Sequence, residues 1–564
     1  MEKKLLKIGD SKFDSQIGGG YYYIDKSLLI KDLFDNPAEV TLITRPRRFG
    51  KTLNMSMLKS FFEHNCELRR DNKDKRHLFN GLKIEQAGEK YMQHFGQYPV
   101  IFLSFKEIKA STWEVAYEAF KKCIYYEYER HANIAYSEKI SESVRIGFRR
   151  FLDRAAPDSD FPDCLKFLSD CLHNYYDKKA VILIDEYDVP LESAFTGNYY
   201  DKMLELIRSM FSSSLKDNDS LAFAVMTGCL RISKESIFTG LNNPSMISIL
   251  SKKYSEHFGF TQQEVDEMLR YFGLDMKHDE LKEWYDGYLF GDTEVYNPWS
   301  IINQISELIA SNNAFPRAYW ANTSGNAIIR TLIDKVVDAN AQSELETLMA
   351  GGTIEKAVKE NITYNDVEDS IDNLWNFLFF TGYLKKVGEK FKNNKLHLIL
   401  AIPNTEIKTI YLDQISEWFE KTVKVNKLPQ ELVRALIAGD AAKAETLLSD
   451  VLIRSISYYD TAENFYHGFL TALLIGTGEY EVKSNRETGD GRSDIFMRPK
   501  SYKLPVIIIE VKISDAYETL IAKSKEALRQ IEDNNYADEF IAEGYPKILK
   551  YGIAFFKKEC VVSN

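Results

Sequence analysis

The sequence predicts an α/β protein with a parallel-sheet region first, a mostly helical middle, and a small α/β region at the C-terminus. Four apolar runs of strand length, EVTLIT (39–44), PVIFLSF (99–105), AVILID (180–185) and LAFAVMT (221–227), alternate with longer helical patterns in residues 1–260. Strands apolar on both faces belong in a parallel sheet covered on both sides. Helical periodicity dominates 261–445, and 446–564 reads helix, three strands, helix, strand.

Taken in order, EVTLIT runs directly into RPRRFGKT, which opens a helical pattern, so the first strand ends in a loop at a helix N-terminus. In the middle region a helix at 371–382 precedes YLKKVGE and KLHLILAIPN, split by the turn-like KNN; helix then hairpin fits a winged-helix element. The C-terminal region reads as a helix at 461–475, strands near 479–485, 493–498 and 505–513, a helix at 515–534 and a strand near 548–556. No repeat or low-complexity tract interrupts this order.

Composition sets the class. A chain of 564 residues with 45% hydrophobic content supports several globular cores. The net charge of −11 argues against a surface coated for indiscriminate nucleic-acid binding, although a local basic groove is compatible with it. Six cysteines without a CxxC pair suggest neither a zinc site nor a disulfide framework and fit a reducing cytoplasm. The N-terminal MEKKLLKIGDSKFD lacks the apolar core of a signal peptide, and no stretch approaches the roughly 18 apolar residues that span a bilayer. A cytoplasmic, non-membrane protein is expected.

Two groups of residues carry chemistry. Gly50, Lys51 and Thr52 complete most of a phosphate-binding loop, in which backbone N–H groups surround a β-phosphate, the lysine reaches the β and γ oxygens, and the hydroxyl ligates Mg²⁺. Arg45 stands where that pattern has its first glycine. AVILID followed by Glu186 is an apolar strand ending in two acids, with Asp185 placed to assist the metal and Glu186 to activate water. The fourth strand ends in Thr227, the position of a polar γ-phosphate sensor. Arg231 reads as a sensor, an arginine finger or a surface ion pair. Arg45, Arg47 and Arg48 suit phosphate or the acids of a neighbouring subunit in a homo-oligomer. YYYIDKS (21–27) reads either as an adenine flank or as a helix cap through Asp25 or Ser27, with the cap favoured.

Near the C-terminus Asp494 opens SDIFM, and Glu510 and Lys512 close PVIIIEVK. Carboxylates on adjacent strands can hold a hard divalent cation, and a lysine two residues on shares their face. Such a site suits phosphodiester cleavage. An isolated ExK is usually an exposed ion pair, but PVIIIEVKI is too apolar for that reading. Glu463, on an amphipathic helix, is a candidate third carboxylate, and Gln530 a candidate to orient water or contact phosphate; each also reads as a plain surface residue. WYDGYLFGDTEVYNPW is expected to pack an interdomain core, with stacking of bases the less favoured reading.

RPRRFGKT, LIDEYDVPL, MTGCLRISKESIFTGLNN, WYDGYLFGDTEVYNPWS, YWANTSGN, FFTGYLK and IPNTEI resemble successive motifs of bacterial AAA-ATPase-like proteins with a C-terminal PD-(D/E)XK nuclease-superfamily domain. The family shares the arginine-containing loop. The resemblance implies an additional-strand P-loop ATPase core and a restriction-endonuclease-like C-terminal domain. It also implies ATP and Mg²⁺ at Gly50, Lys51, Thr52, Asp185 and Glu186, and a nuclease site, with Mg²⁺ or Mn²⁺, at Asp494, Glu510 and Lys512 assisted by Glu463 and Gln530. Two functions follow: an ATP-coupled nuclease acting on nucleic acid, with DNA expected, or a nucleotide-switched binding or signalling protein, for instance in defence against foreign DNA, whose nuclease-like domain binds a partner without cutting.

Overall fold

The computed structural model describes residues 3–64, 75–231, 244–322, 339–349, 351–414, 428–455, 466, 469–471, 473–474, 480–488, 491–501 and 503–564. The chain forms two compact units, Met1–Asn322 with Glu355–Ile407, and Thr323–Ile354 with Lys408–Asn564. Residues 261–445, read above as one middle region, are shared between them.

The first unit is built on five parallel strands, β1 (Val40–Thr44), β2 (Val100–Ser104), β3 (Ala180–Asp185), β4 (Leu221–Gly228) and β5 (Ser245–Ile247), in the order β2-β3-β4-β1-β5. Every residue of β1 and β3 is buried, as strands sandwiched between helices require. The helices Lys51–Phe62, Trp113–Arg130, Cys164–Tyr176 and Tyr200–Leu215 pack on this sheet. β4 lies between β1 and β3, which is the additional-strand order. Its consequence is chemical: Thr44 pairs with Gly228 and Ser104 with Asp185, so the carboxyl ends of four strands meet along one edge, where open parallel sheets place their ligands.

The rest of this unit is mostly helical, with two small sheets. β6 (Phe260–Thr261), β7 (Tyr288–Phe290) and β8 (Thr293–Tyr296) form a sheet in the order β6-β8-β7. Thr261 and Glu264 make a reciprocal capping box that starts the helix Gln262–Phe272, and Gly273 in the left-handed region ends it. The predicted helix-then-hairpin is present as Ile371–Phe380 followed by β10 (Lys385–Lys392) and β11 (Lys395–Ala401). Asn393 and Asn394, both at positive φ, make its turn. A further strand, β9 (Ile354–Ala357), joins beside β11.

The second unit carries a mixed sheet of β12 (Tyr480–Thr488), β13 (Gly491–Pro499), β14 (Val506–Ile513), β15 (Ile548–Phe556) and β16 (Glu559–Ser563), paired in that order. Only β14 and β15 are parallel, and the helix Leu520–Asp533 is part of their crossover. Alternation along β14 splits its side chains. Ile507, Ile509 and Val511 join a core with Tyr466, Leu470 and Leu473, while Val506 and Ile508 pack with Phe496, Ile531 and Phe540. Glu510 and Lys512 share the second face. Among the described residues no helix is long and apolar enough to cross a membrane.

Candidate active sites

β1 delivers the phosphate loop. Gly50 takes φ 84°, a left-handed geometry that costs glycine little, and hands the chain to the helix starting at Lys51. Lys51 is buried, donates to the carbonyls of Arg45 and Pro46 at 3.1 Å each, and lies 3.4 Å from Glu186 Oε1. Burial works against its positive charge, but Cys229 and the acids Glu186, Asp188 and Asp185 prevail and hold its pKa above the ordinary lysine value.

Asp185, fully buried at the end of β3, receives Thr52 Oγ1 on Oδ2 at 2.9 Å and Thr227 Oγ1 on Oδ1 at 2.8 Å. Burial and the Glu186 charge raise its pKa, while the two hydroxyls and Lys51 oppose the rise. Glu186 follows at φ 55°, a conformation that costs a non-glycine residue energy and persists only where the surroundings hold it. The structure thus gathers Lys51, Thr52, Asp185, Glu186 and Thr227 into one cluster. Arg231 makes an ion pair, one of the roles its position suggested: Nη1 donates to Glu360 Oε2 at 3.4 Å.

Arg45 departs from its expected contact with nucleotide. Its guanidinium is buried and donates to the carbonyls of Thr44 and Ser248, both at 2.9 Å, with longer contacts to those of Ile247 and Tyr254 at 3.4 Å. It also lies 5.0 Å from the centre of the Phe290 ring. Burial draws its pKa down to about 9. The side chain therefore fastens the loop to β5, and only its main chain faces Lys51. Arg47 pairs with Glu192, and Arg48, at φ 68°, stacks 4.3 Å from the centre of the Trp299 ring.

The aromatic motif packs against this loop, so residues read above as the first and middle regions meet within one unit. Phe49 meets the rings of Tyr288 and Phe290 at 4.9 and 5.1 Å. A Cβ on Gly382, from FFTGYLK, would come within 3.0 Å of Pro46. Beside Gly50 opens an apolar recess lined by Tyr22, Ile24, Phe49, Leu53, Met268 and Ile302. The cap expected of YYYIDKS is also present, although on a different helix. Asp25 and Ser27 accept the backbone N–H groups of Lys83 and Ile84, at the start of the helix Lys83–Gln86.

In the second unit Glu510 is 2% exposed and accepts a hydrogen bond on Oε1 from Gln530 Nε2. Gly552, paired with Glu510 across β14 and β15, explains the approach: a Cβ there would strike Ser524 O and Leu528 N, so only glycine lets the helix carrying Gln530 settle on the sheet. Lys512 is half-buried on the same face. Asp494 lies in β13 one residue before Ile495, whose partner on β14 is Ile509, the residue before Glu510. The side chain of Asp494 and the whole of Glu463 lie outside the described residues.

Comparison with known proteins bears on both sites. A family model described as "Predicted AAA-ATPase" matches residues 7–238, and one for the PD-(D/E)XK nuclease superfamily matches residues 461–564. The chain joins an AAA-ATPase-like region to a PD-(D/E)XK nuclease-superfamily region. It is also similar to an "Uncharacterized protein in vnfD 5'region" of Azotobacter chroococcum mcd 1, 26% identical over 570 residues, spanning 97% of this chain and 95% of that one.

The AAA-ATPase-like region offers what a nucleotide and its divalent metal need: a buried ammonium at a helix N-terminus, with hydroxyl and carboxylate oxygens beside it. In the nuclease-superfamily region the donor set is oxygen as well, with Glu510 buried and held by an amide. Among the described residues, no three His, Cys, Asp or Glu side chains gather into a metal-binding group. Sequence reasoning passed over Asp188, which is buried and accepts the backbone N–H groups of Cys229 and Leu230 at 2.8 and 2.9 Å. Its signal was the third acid of LIDEYD.

Proposed function

We propose that this protein binds and hydrolyses ATP with Mg²⁺ in its first unit and couples that turnover to metal-dependent cleavage of DNA in its second, in the cytoplasm. The observation that supports it most is the convergence of Lys51, Thr52, Asp185, Glu186 and Thr227 at one sheet edge, in a chain whose second unit buries Glu510 on an otherwise apolar strand.

In the first site Gly50 and the start of the following helix present backbone N–H groups to the phosphates, and the recess lined by Tyr22, Ile24 and Leu53 takes the adenine. Lys51 leaves its carbonyl partners for the β and γ oxygens. Thr52 and Asp185 hold Mg²⁺, which neutralises charge on the phosphates. Glu186 orients the attacking water and Thr227 keeps Asp185 in position. In the second site Asp494 and Glu510, with Glu463, hold the metal, Gln530 orients the Glu510 carboxylate, and Lys512 steadies charge on the phosphate under attack.

The test is cleavage of labelled DNA by the full chain with Mg²⁺ or Mn²⁺, with and without ATP, for wild type, Lys51→Ala and Lys512→Ala. The reading expects metal-dependent cutting that Lys512→Ala abolishes and whose ATP dependence Lys51→Ala removes. Wild type that cuts no nucleic acid yet binds DNA in a nucleotide-dependent way would establish the switch instead.

A further inference from the structure

Glu186 presents a conformational problem. It sits at φ 55° on a turn between β3 and the following helix, so something outside the turn must hold it there. The turn grips the end of β4 residue by residue. Tyr187 N donates to Thr227 O at 2.9 Å, and Tyr187 Oη donates to Leu230 O. Asp188 Oδ2 accepts from two successive backbone groups, Cys229 N and Leu230 N, at 2.8 and 2.9 Å. The Asp188 side chain thereby holds two successive backbone groups just beyond β4 at once. Its other oxygen, Oδ1, is buried without a hydrogen-bond partner. That oxygen lies where a Cβ on Gly228 would come within 2.7 Å, and the Tyr187 ring would meet the same atom at 2.5 Å. Gly228 is thus the notch into which the turn fits.

We propose that Asp188 is a positioning residue for ATP hydrolysis, locking the turn that carries Glu186 onto the end of β4. The inference rests on the ATPase reading above and adds to it a residue that touches neither phosphate nor metal. Thr227 already ties β4 to Asp185 from the other side of the same turn. With Asp188 in place, the metal-side acid, the water-side acid and the threonine move as one body. Without it, Glu186 is free to relax from its strained conformation, and the water it orients loses its line of attack. Nucleotide binding depends on the loop at 45–52, whereas the Asp188 carboxylate accepts from Cys229 and Leu230, so binding is expected to persist.

The test measures steady-state ATP hydrolysis by the full chain for wild type, Asp188→Ala, Asp188→Asn, Gly228→Ala and Lys51→Ala, with rates referred to the nucleotide-binding stoichiometry of each preparation. Asp188→Ala and Gly228→Ala are expected to lower kcat about 10²-fold while KM for ATP moves less than about 3-fold, as misplacement of a reacting group does. Asp188→Asn keeps an oxygen for the two N–H groups and should recover kcat to within about 10-fold of wild type. A kcat for Asp188→Ala within about 3-fold of wild type, or a loss that only tracks the binding-competent fraction, overturns the proposal. So does failure of the asparagine to rescue a variant that still binds nucleotide. If Lys51→Ala abolishes turnover while Asp188→Ala leaves it intact, this inference alone falls; if wild type turns over no ATP, the ATPase reading falls with it.

Discussion

Thr52 and Thr227 donate to opposite oxygens of the same buried carboxylate, that of Asp185, at 2.9 and 2.8 Å. The two threonines do different work under the ATPase reading, since Thr52 is to hold the metal and Thr227 only aims Asp185. Thr227→Val is therefore expected to weaken metal affinity about 10–100-fold, as loss of an orienting partner does, while saturating Mg²⁺ restores turnover. Thr52→Ala removes a donor and should not be rescued in this way. ATP hydrolysis titrated against Mg²⁺ distinguishes them; equal rescue of both would remove Thr52 from the metal.

Arg45→Gly brings the loop closer to the common phosphate-loop pattern, yet the structure expects it to be harmful. The guanidinium satisfies buried carbonyls of Thr44 and Ser248 at 2.9 Å. Its removal strands them and empties the space between β5 and the Phe290 ring. A loss of about 3 kcal/mol or more is expected, read as a fall in the thermal unfolding midpoint. An unchanged midpoint would show that the loop is held without it.

These two cases mark where the sequence was readable. β1 to β4 announced themselves because strands covered on both faces must be apolar throughout, and the acids closing β3 stood out against that background. β5 has three residues, too few for a pattern to rise above its neighbours. Arg45 appeared to belong to the phosphates because charge beside such a loop is usually for them, but its partner Ser248 lies 203 residues along the chain. The partners of Asp188 begin 41 residues away, across the strand order. Local pattern specifies elements; which polar group meets which depends on contacts between distant segments. Glu510 stood out because an acid within PVIIIEVK must have partners, and Gln530 is one of them.

Glu406 gives a prediction on stability. It is fully buried and accepts from Ser300 Oγ and Trp320 N. Burial pushes its pKa up to about 7, with the backbone N–H of Trp320, Ser300 and the backbone N–H of Tyr319 opposing. An unfolded glutamate titrates near about 4.3. Between the two values the folded chain keeps a proton that the unfolded chain has released. The contribution is therefore complete below the lower value and is lost as pH rises through the upper one. Glu406→Gln should flatten the decline in urea midpoint between pH 5 and pH 8. A slope identical to wild type would place the decline on other groups, Asp185 and Asp188 being the first to examine, since burial raises both.

Gly552 gives a prediction for the nuclease-superfamily site that does not touch its charges. A Cβ there would strike Ser524 O and Leu528 N, and relief requires the helix Leu520–Asp533 to lift from β15. That movement withdraws Gln530 from Glu510, whose carboxylate then loses its orienting amide. Gly552→Ala and Gln530→Ala should therefore share a fall of about 10–100-fold in metal affinity, measured by calorimetry on the full chain. Gly552→Ala should lose more stability than Gln530→Ala, by about 1–3 kcal/mol, because it overpacks the helix against the sheet as well as withdrawing the amide. Glu510→Gln, which keeps an oxygen for the amide but no charge for a cation, should abolish the metal heat. Metal binding that survives Glu510→Gln would move the cation away from β14 and leave the buried acid as a hydrogen-bonded strut under the helix.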